Sequence, residues 1–203
     1  MNKQTLWKVM LAALLFLPTQ QAPPRCMAQT STRTLITEKS IGPVRLGMTV
    51  ARVRKALPGY KLSRTSDGEG LALIAVERRG KTLLTLYAGE LDPNRRINDR
   101  AVIEHIEAID ASYRTSAGVH TRMSLREVEK RYGKLKEITL SEIESREYAS
   151  FDKQPAGIHL RVMSDSGAAG TYAEGKNSTK QYAPNAYVFS ISINGIQRRS
   201  HKN

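Results

Sequence analysis

The sequence predicts an α+β fold of two tandem repeats, each a short helix or helix pair packed on an antiparallel sheet of about three strands. Segment 47–57, GMTVARVRKAL, returns 75 residues later (122 − 47) as segment 122–132, RMSLREVEKRY. Each copy is followed by strand-like segments joined by short turns, and short turns connect antiparallel strands. We therefore expect two related units, residues 29–111 and residues 112–203.

Each copy of the repeated segment predicts one helix of about two turns. Thr49 and Ser124 stand at equivalent positions, where a hydroxyl caps a helix N-terminus. Glu127 follows Ser124 by three residues and completes a capping box. Behind each cap, apolar side chains recur at i, i+3 and i+7, which places them on one face of a helix. They are Val50, Val53 and Leu57 in the first copy, and Leu125, Val128 and Tyr132 in the second.

Strands are predicted after each helix, because β-branched and aromatic residues alternate there between turn residues. Both units are expected to contain a hairpin and then a closing strand. The predicted strands are 71–76, 82–87 and 102–110 in the first unit, and 146–151, 158–162 and 186–194 in the second.

Residues 1–28 have the three parts of a secretory signal peptide. Positive charge at Lys3 and Lys8 precedes the apolar run 9–17, and small residues place cleavage after Ala28. The run is shorter than the roughly 20 residues that span a bilayer. We expect a periplasmic or secreted protein without a transmembrane span after cleavage. An uncleaved anchor and acylation of Cys26 are the alternatives.

The chain is strongly basic, with a net charge of +13. No aromatic residues are interleaved with the scattered basic ones, as a base-stacking surface for nucleic acid requires. For an exported protein, the expected partner is another protein or an anionic component of the envelope, and not nucleic acid. Arg52, Arg54 and Lys55 on the first helix are the candidate basic contacts.

One sequence pattern resembles a known pair of families. It consists of Leu46-Gly47-Met48-Thr49 with Val53, and of Met123-Ser124 with Val128 in the second copy. Before a short helix and an antiparallel sheet, this pattern resembles the small lipoprotein subunit of the outer-membrane β-barrel assembly machine, and the tandem-repeat β-lactamase inhibitory protein. The chain lacks the lipobox of the first family and the cysteine pairs of the second. The resemblance implies a non-enzymatic protein that binds another protein or an envelope surface.

His105 and Glu107 are the candidate ligand contacts of the first unit. They lie two residues apart on a predicted strand and so share one face of the sheet. Their predicted counterparts in the second unit are Phe189 and Ile191, both apolar. Either this face is exposed in one unit and buried in the other, or the polar pair contacts a ligand.

The second unit has a long loop, residues 164–184, which carries Tyr172 and Tyr182 among small residues. Loops of this length are functional or flexible, and Tyr among Gly, Ser and Asn is typical of adaptable binding surfaces. Tyr172 and Tyr182 are therefore candidate binding residues, with simple flexibility as the alternative.

The sequence favours an exported, non-enzymatic binding protein of the bacterial envelope. The four histidines have no metal-ligand spacing, and the single cysteine cannot complete a site, so neither a metal nor another cofactor is expected. The alternative function is a periplasmic enzyme, a hydrolase, with a site between the repeats near His105 and Glu107. The partner and the oligomeric state stay open.

Overall fold

The computed structural model describes residues 32–141 and 145–195, which form two helices and thirteen strands. Helix α1 spans Val50–Ala56 and helix α2 spans Leu125–Tyr132. The strands before α2 are β1 (Leu35–Ile36), β2 (Ser40–Ile41), β3 (Val44–Arg45), β4 (Lys61–Ser66), β5 (Ala72–Arg78), β6 (Lys81–Tyr87), β7 (His105–Ala108) and β8 (Arg114–Thr115). Those after α2 are β9 (Leu135–Ser141), β10 (Arg146–Phe151), β11 (His159–Met163), β12 (Ser178–Thr179) and β13 (Tyr187–Asn194).

The α+β prediction is wrong, because the described residues are mostly β. Nine strands form one antiparallel sheet in the order β12-β9-β10-β11-β13-β7-β6-β5-β4, and a smaller sheet has the order β3-β2-β1-β8. The two helices have only seven and eight residues. The signal peptide predicted for residues 1–28 lies outside the described residues.

The prediction underestimated the number of strands because it relied on apolar alternation. Strand β4 follows α1 directly, yet Leu62 is its one buried residue. Strand β9 follows α2, and Ile138 is likewise its one buried residue. Both strands lie towards the edges of the sheet, where a mostly polar segment is stabilised by backbone pairing and carries little hydrophobic signal.

Both helices begin where the sequence predicted. The hydroxyl of Thr49 accepts a hydrogen bond from the backbone N–H of Arg52 at 3.4 Å. Ser124 accepts one from the N–H of Glu127 at 3.4 Å, and the carboxylate of Glu127 accepts one from the N–H of Ser124 at 3.3 Å. The capping box is therefore confirmed, and it satisfies two backbone N–H groups at the start of α2.

The core lies on one face of the large sheet, where the helices and the small sheet pack against it. Ile106 in β7 and Ile191 and Ile193 in β13 are fully buried in the middle of this face. Successive side chains of a strand point to opposite faces. His105 and Glu107 in β7 therefore point away from the core.

The same backbone hydrogen bonds recur in the two halves of the sheet. Thr49 bridges Val102 in the first half, and Ser124 bridges Tyr187 in the second. Val102 therefore corresponds to Tyr187, one residue beyond the position that the sequence comparison gives. Strand β13 also has a bulge opposite Arg161, where Phe189 has no partner in β11, and an extra residue in one strand exchanges the faces that follow it.

The one-residue shift from Ala186 to Tyr187 corrects the predicted counterparts of His105 and Glu107. Ile191 is fully buried in the core and does not share the face of Glu107. The residue in the corresponding place is Ser192, which also pairs directly with Glu107 across the junction of β7 and β13. The polar face of the first half thus continues into the second.

Candidate binding groove

A groove of about 1210 Å³ lies on the face of the large sheet that points away from the core. Strands β5, β6 and β7 contribute side chains from the first half, and β10, β11 and β13 contribute them from the second. The groove therefore spans the junction of the two halves. Its lining combines charged, aromatic and small polar side chains.

One wall of the groove is the turn between β4 and β5. Asp67 in this turn lies 3.7 Å from the guanidinium of Arg146 in β10. Four strands separate β5 from β10 in the sheet, and at 4.7–4.9 Å per strand a flat sheet would hold them roughly 24 Å apart. The sheet therefore curls until its turn reaches the opposite half. Asp67 also accepts hydrogen bonds from the N–H groups of Glu69 and Leu71, which hold the turn in shape.

The floor of the groove is a row of paired residues, one from each of four neighbouring strands. Thr85 pairs with Glu107, Glu107 with Ser192, and Ser192 with His159. The hydroxyl of Thr85 donates a hydrogen bond of 2.9 Å to one carboxylate oxygen of Glu107. The row brings together side chains from positions 85 to 192, and this proximity depends on strand register alone.

A second row runs beside the first. His105 pairs with Tyr87 on one side and with Asn194 on the other. The Nδ1 atom of His105 forms a hydrogen bond with the side chain of Asn194. Burial, and next the carboxylate of Glu104, raise the pKa of Tyr87 above its ordinary value of 10.

Arg161 is the cationic group on the floor of the second half. Its guanidinium stacks over the ring of Phe189, 4.7 Å from the ring centroid. Its Nε is buried and has no hydrogen-bond partner among the described residues. Within residues 32–141 and 145–195, no carboxylate lies within 4.0 Å of the Arg161 guanidinium. The contact with Phe189 restrains the position of the guanidinium, and the group has no counter-ion among the described residues.

His159 lies two residues before Arg161 on β11, on the same face of the strand. Partial burial of its ring lowers its pKa, and the nearby His105 lowers it further. The imidazole of His159 is therefore neutral at pH 7, and the cationic charge of the β11 floor resides on Arg161.

The structure places only two of the sequence-predicted site residues in this groove, His105 and Glu107. Arg54 in α1 pairs with Asp99 at 2.9 Å, on an exposed part of the surface. Lys55 is exposed beside it. Arg52 lines a separate, smaller notch against the small sheet.

The two loop tyrosines also lie away from the groove, because both hydroxyls are bonded internally. Tyr172 donates to the buried carboxylate of Glu147 at 2.8 Å. Tyr182 donates to Glu129 in α2 at 2.8 Å, and burial together with this hydrogen bond raises the pKa of Tyr182 to about 12. Backbone N–H groups of the loop also bind Glu147. These contacts anchor the loop against the core side of the sheet.

Sequence reasoning missed Arg161, His159, Ser192 and the pair Asp67–Arg146. A signal was present in β11, where His159 and Arg161 alternate with the buried Leu160 and Val162. This is the pattern that singled out His105 and Glu107 in β7.

These features define a mostly β protein with a polar groove across a curled antiparallel sheet. Among the described residues, no group of three or more His, Cys, Asp or Glu side chains is placed to hold a metal ion. Within residues 32–141 and 145–195, neither helix has the length and hydrophobicity needed to cross a bilayer.

No protein family model and no curated protein matches this chain. The chain is similar in structure to the uncharacterized protein yfeY from Escherichia coli, with a TM-score of 0.53 and 12% sequence identity. The alignment covers 79% of this chain and 99% of that one. At this identity the likeness concerns the fold alone.

Proposed function

We propose that this chain is an exported, non-enzymatic binding protein of the bacterial envelope, which holds its ligand in the groove of the large sheet. The observation that carries the proposal is the polar row Thr85–Glu107–Ser192–His159 on the groove floor. This face of the sheet is not a flat, open surface, because the turn at Asp67 reaches Arg146 and closes one side of the groove. Concave sites with a few convergent polar groups are typical of ligand binding.

The partner we propose is a protein or an anionic component of the envelope. The net charge of +13 supports an anionic surface, because long-range attraction raises the rate of encounter with such a partner. The resemblance of the Leu46–Thr49 and Met123–Ser124 patterns to exported binding families supports the same proposal. In this view, the exposed basic residues steer association and the groove provides the shape-specific contact.

A second candidate function, hydrolysis, is favoured by the position of Ser192 between His159 and Glu107. A neutral imidazole next to a hydroxyl accepts its proton when that hydroxyl attacks an acyl group. The lowered pKa of His159 keeps the ring in this form at neutral pH. If the protein is a hydrolase, Ser192→Ala abolishes turnover of an activated ester and leaves the fold intact.

The test of binding is capture from a detergent-solubilised envelope fraction, using protein expressed from the full chain. Asn194→Trp fills the groove from an exposed position of its rim, and Ser178→Trp adds the same ring to an exposed position on β12. We expect one component, identified by mass spectrometry, to be captured by the wild type and by Ser178→Trp, and lost with Asn194→Trp.

Salt concentration provides the counter-test. Groove binding by shape and short-range contacts survives moderate salt, whereas attraction between exposed charges is screened. Capture that Asn194→Trp leaves unchanged would refute a groove-binding function. So would capture that is spread over many anionic species and disappears at high salt.

A further inference from the structure

We infer that the groove binds a zwitterionic ligand, with a carboxylate held by Arg161 and an ammonium group held by Glu107. This inference rests on the proposed function and specifies the ligand of the same groove. It comes from the distribution of charge across the floor, which has a cationic side on β11 and an anionic side on β7.

The carboxylate end follows from the state of Arg161. The Cζ atom of its guanidinium lies over the Phe189 ring, 4.7 Å from the ring centroid, and the group has no carboxylate partner in the described residues. A planar guanidinium presents two parallel N–H groups, which match the two oxygens of a carboxylate. Arg161 is the one cation of this side, because the neighbouring His159 is neutral at pH 7 with its lowered pKa. This side of the groove therefore matches a ligand group with a single negative charge.

The ammonium end follows from Glu107. One of its oxygens accepts the hydrogen bond from Thr85, which orients the carboxylate over the floor. None of the cationic side chains in the described residues lies within 4.0 Å of Glu107. Glu104 adds a second carboxylate to the same side of the groove. On this side of the groove an anionic group of the ligand would meet repulsion, and an ammonium group would be attracted.

The neighbouring side chains Arg146, Asp67 and His105 do not alter the separation between the cationic side at Arg161 and the anionic side at Glu107. Arg146 and Asp67 form an ion pair with each other, and His105 is bonded to Asn194.

Only β13 separates β7 from β11, so the two strands lie about 9.5 Å apart. Arg161 lies two residues along β11 from His159, the residue in the row of Glu107, which adds about 6.6 Å along the strand. The backbones of Glu107 and Arg161 are therefore roughly 12 Å apart in the sheet. Both side chains line the groove, and a ligand whose two charges are roughly 10 Å apart spans this separation. A short extended peptide or a medium-length amino acid provides it.

The probe is 8-aminooctanoate, a flexible chain with a carboxylate and an ammonium group at its ends. Octanoate and octylamine each carry one of the two charges on the same chain, and so serve as matched controls. Binding is followed by NMR chemical-shift titration of the ¹⁵N-labelled protein. Because a charged hydrogen bond contributes enough for about a tenfold change in affinity, we expect 8-aminooctanoate to bind about tenfold more tightly than either control.

Two variants assign the ends of the ligand. Arg161→Gln should weaken 8-aminooctanoate and octanoate by about tenfold and leave octylamine unchanged. Glu107→Gln should weaken 8-aminooctanoate and octylamine and leave octanoate unchanged. Lys180→Gln, at an exposed position of the long loop, should change none of the three.

Equal affinities for the three probes, no saturable binding of any probe, or variants that do not separate the two ends would each overturn the inference. If Asn194→Trp abolishes envelope capture in any of these cases, the groove still binds a ligand, but one of another class. If Asn194→Trp leaves envelope capture unchanged, the proposed function itself has failed.

Discussion

The carboxylate of Asp67 lies 3.7 Å from the guanidinium of Arg146, although Asp67 follows an edge strand of the nine-stranded sheet and Arg146 belongs to the other half. The pair is mostly shielded from solvent, with side-chain exposures of 14% and 23%. This ion pair connects the two halves of the sheet across the groove. The backbone hydrogen bonds between β7 and β13 connect them within the sheet. The shape of the groove therefore depends on this side-chain contact as well as on sheet curvature.

The first prediction concerns this contact. A double-mutant cycle with Asp67→Asn and Arg146→Gln should give a coupling energy of about 1 kcal/mol, since the pair is largely shielded from water and salt. Asparagine at position 67 keeps a side-chain oxygen that can accept the hydrogen bonds of the turn from Glu69 and Leu71. The cycle therefore measures the charge interaction between positions 67 and 146. Urea unfolding supplies the four free energies. The control is Lys61–Glu77, where Lys61 is 76% exposed, and a coupling at Asp67–Arg146 no larger than at this control would contradict the prediction.

The second prediction concerns the anchor of the long loop. Glu147 accepts hydrogen bonds from the N–H groups of Ala169 and Gly170 and from the hydroxyl of Tyr172. Glu147→Gln should lower the free energy of unfolding by about 1–3 kcal/mol, because an NH₂ group then faces buried donors. Tyr172→Phe removes one donor and should cost about 1 kcal/mol.

Limited proteolysis measures the same anchor locally. Cleavage within residues 164–184 should be faster in Glu147→Gln than in the wild type, because a loop released from its anchor opens more often. An unchanged cleavage rate in the loop, together with unchanged stability, would show that the carboxylate does not hold it.

The third prediction is a pH dependence of stability. The pKa of His159 is lowered from its ordinary value of 6.5 in the folded protein, so the unfolded chain binds the proton more readily. This group's contribution to stability is complete above pH 6.5 and is lost as the pH falls through the lowered pKa. Urea unfolding between pH 7.5 and 4.5 should therefore show a smaller loss of stability for His159→Asn than for the wild type. Identical pH profiles would rule out this role of His159.

The fourth prediction compares the two helix caps. Ser124→Ala should cost about 1 kcal/mol of stability, and Thr49→Ala should cost less. The two capping bonds have the same length of 3.4 Å, but the Ser124 hydroxyl also donates a hydrogen bond of 3.0 Å to the carboxylate of Glu127. Thermal unfolding of the two variants gives the comparison, and an equal loss for both would show that the bond from the Ser124 hydroxyl to the Glu127 carboxylate adds nothing.

The fifth prediction concerns export. Expression of the full chain in a bacterium should yield a periplasmic or secreted protein whose N-terminal residue is Gln29, because small residues at 26–28 follow the apolar run. Cell fractionation and mass spectrometry of the intact protein measure both outcomes. A protein that retains Met1, or that carries an acyl chain on Cys26, would replace the secretory interpretation with an anchored one.

Local features of the structure were predictable because they depend on neighbouring residues. The caps at Thr49 and Ser124 were read correctly, as was the strand Arg146–Phe151. In each case, the signal is a hydroxyl at a helix start or an alternation of side chains within a few residues. The polar strands β4 and β9 gave no such signal, and the fold class was wrong for that reason.

The candidate site was only half predictable. His105 and Glu107 were found because they share a face of one strand. Arg161 was missed because its significance depends on Phe189, which reaches it through the bulge in β13. The basic residues of α1 and the loop tyrosines were proposed from composition alone, and composition does not specify which side of a sheet a residue occupies.

The sequence by itself determined where the helices begin and that His105 and Glu107 share a polar face of β7, since these follow from interactions within about one turn or one strand. The tertiary structure alone decided that β7 pairs with β13, that Glu107 faces Ser192, and that the sheet curls until Asp67 reaches Arg146. The physical reason is that strand register and curvature result from the simultaneous packing of many distant side chains into one core. A bulge of a single residue, invisible in the pattern of the strand, then exchanges the faces on which a binding groove is built.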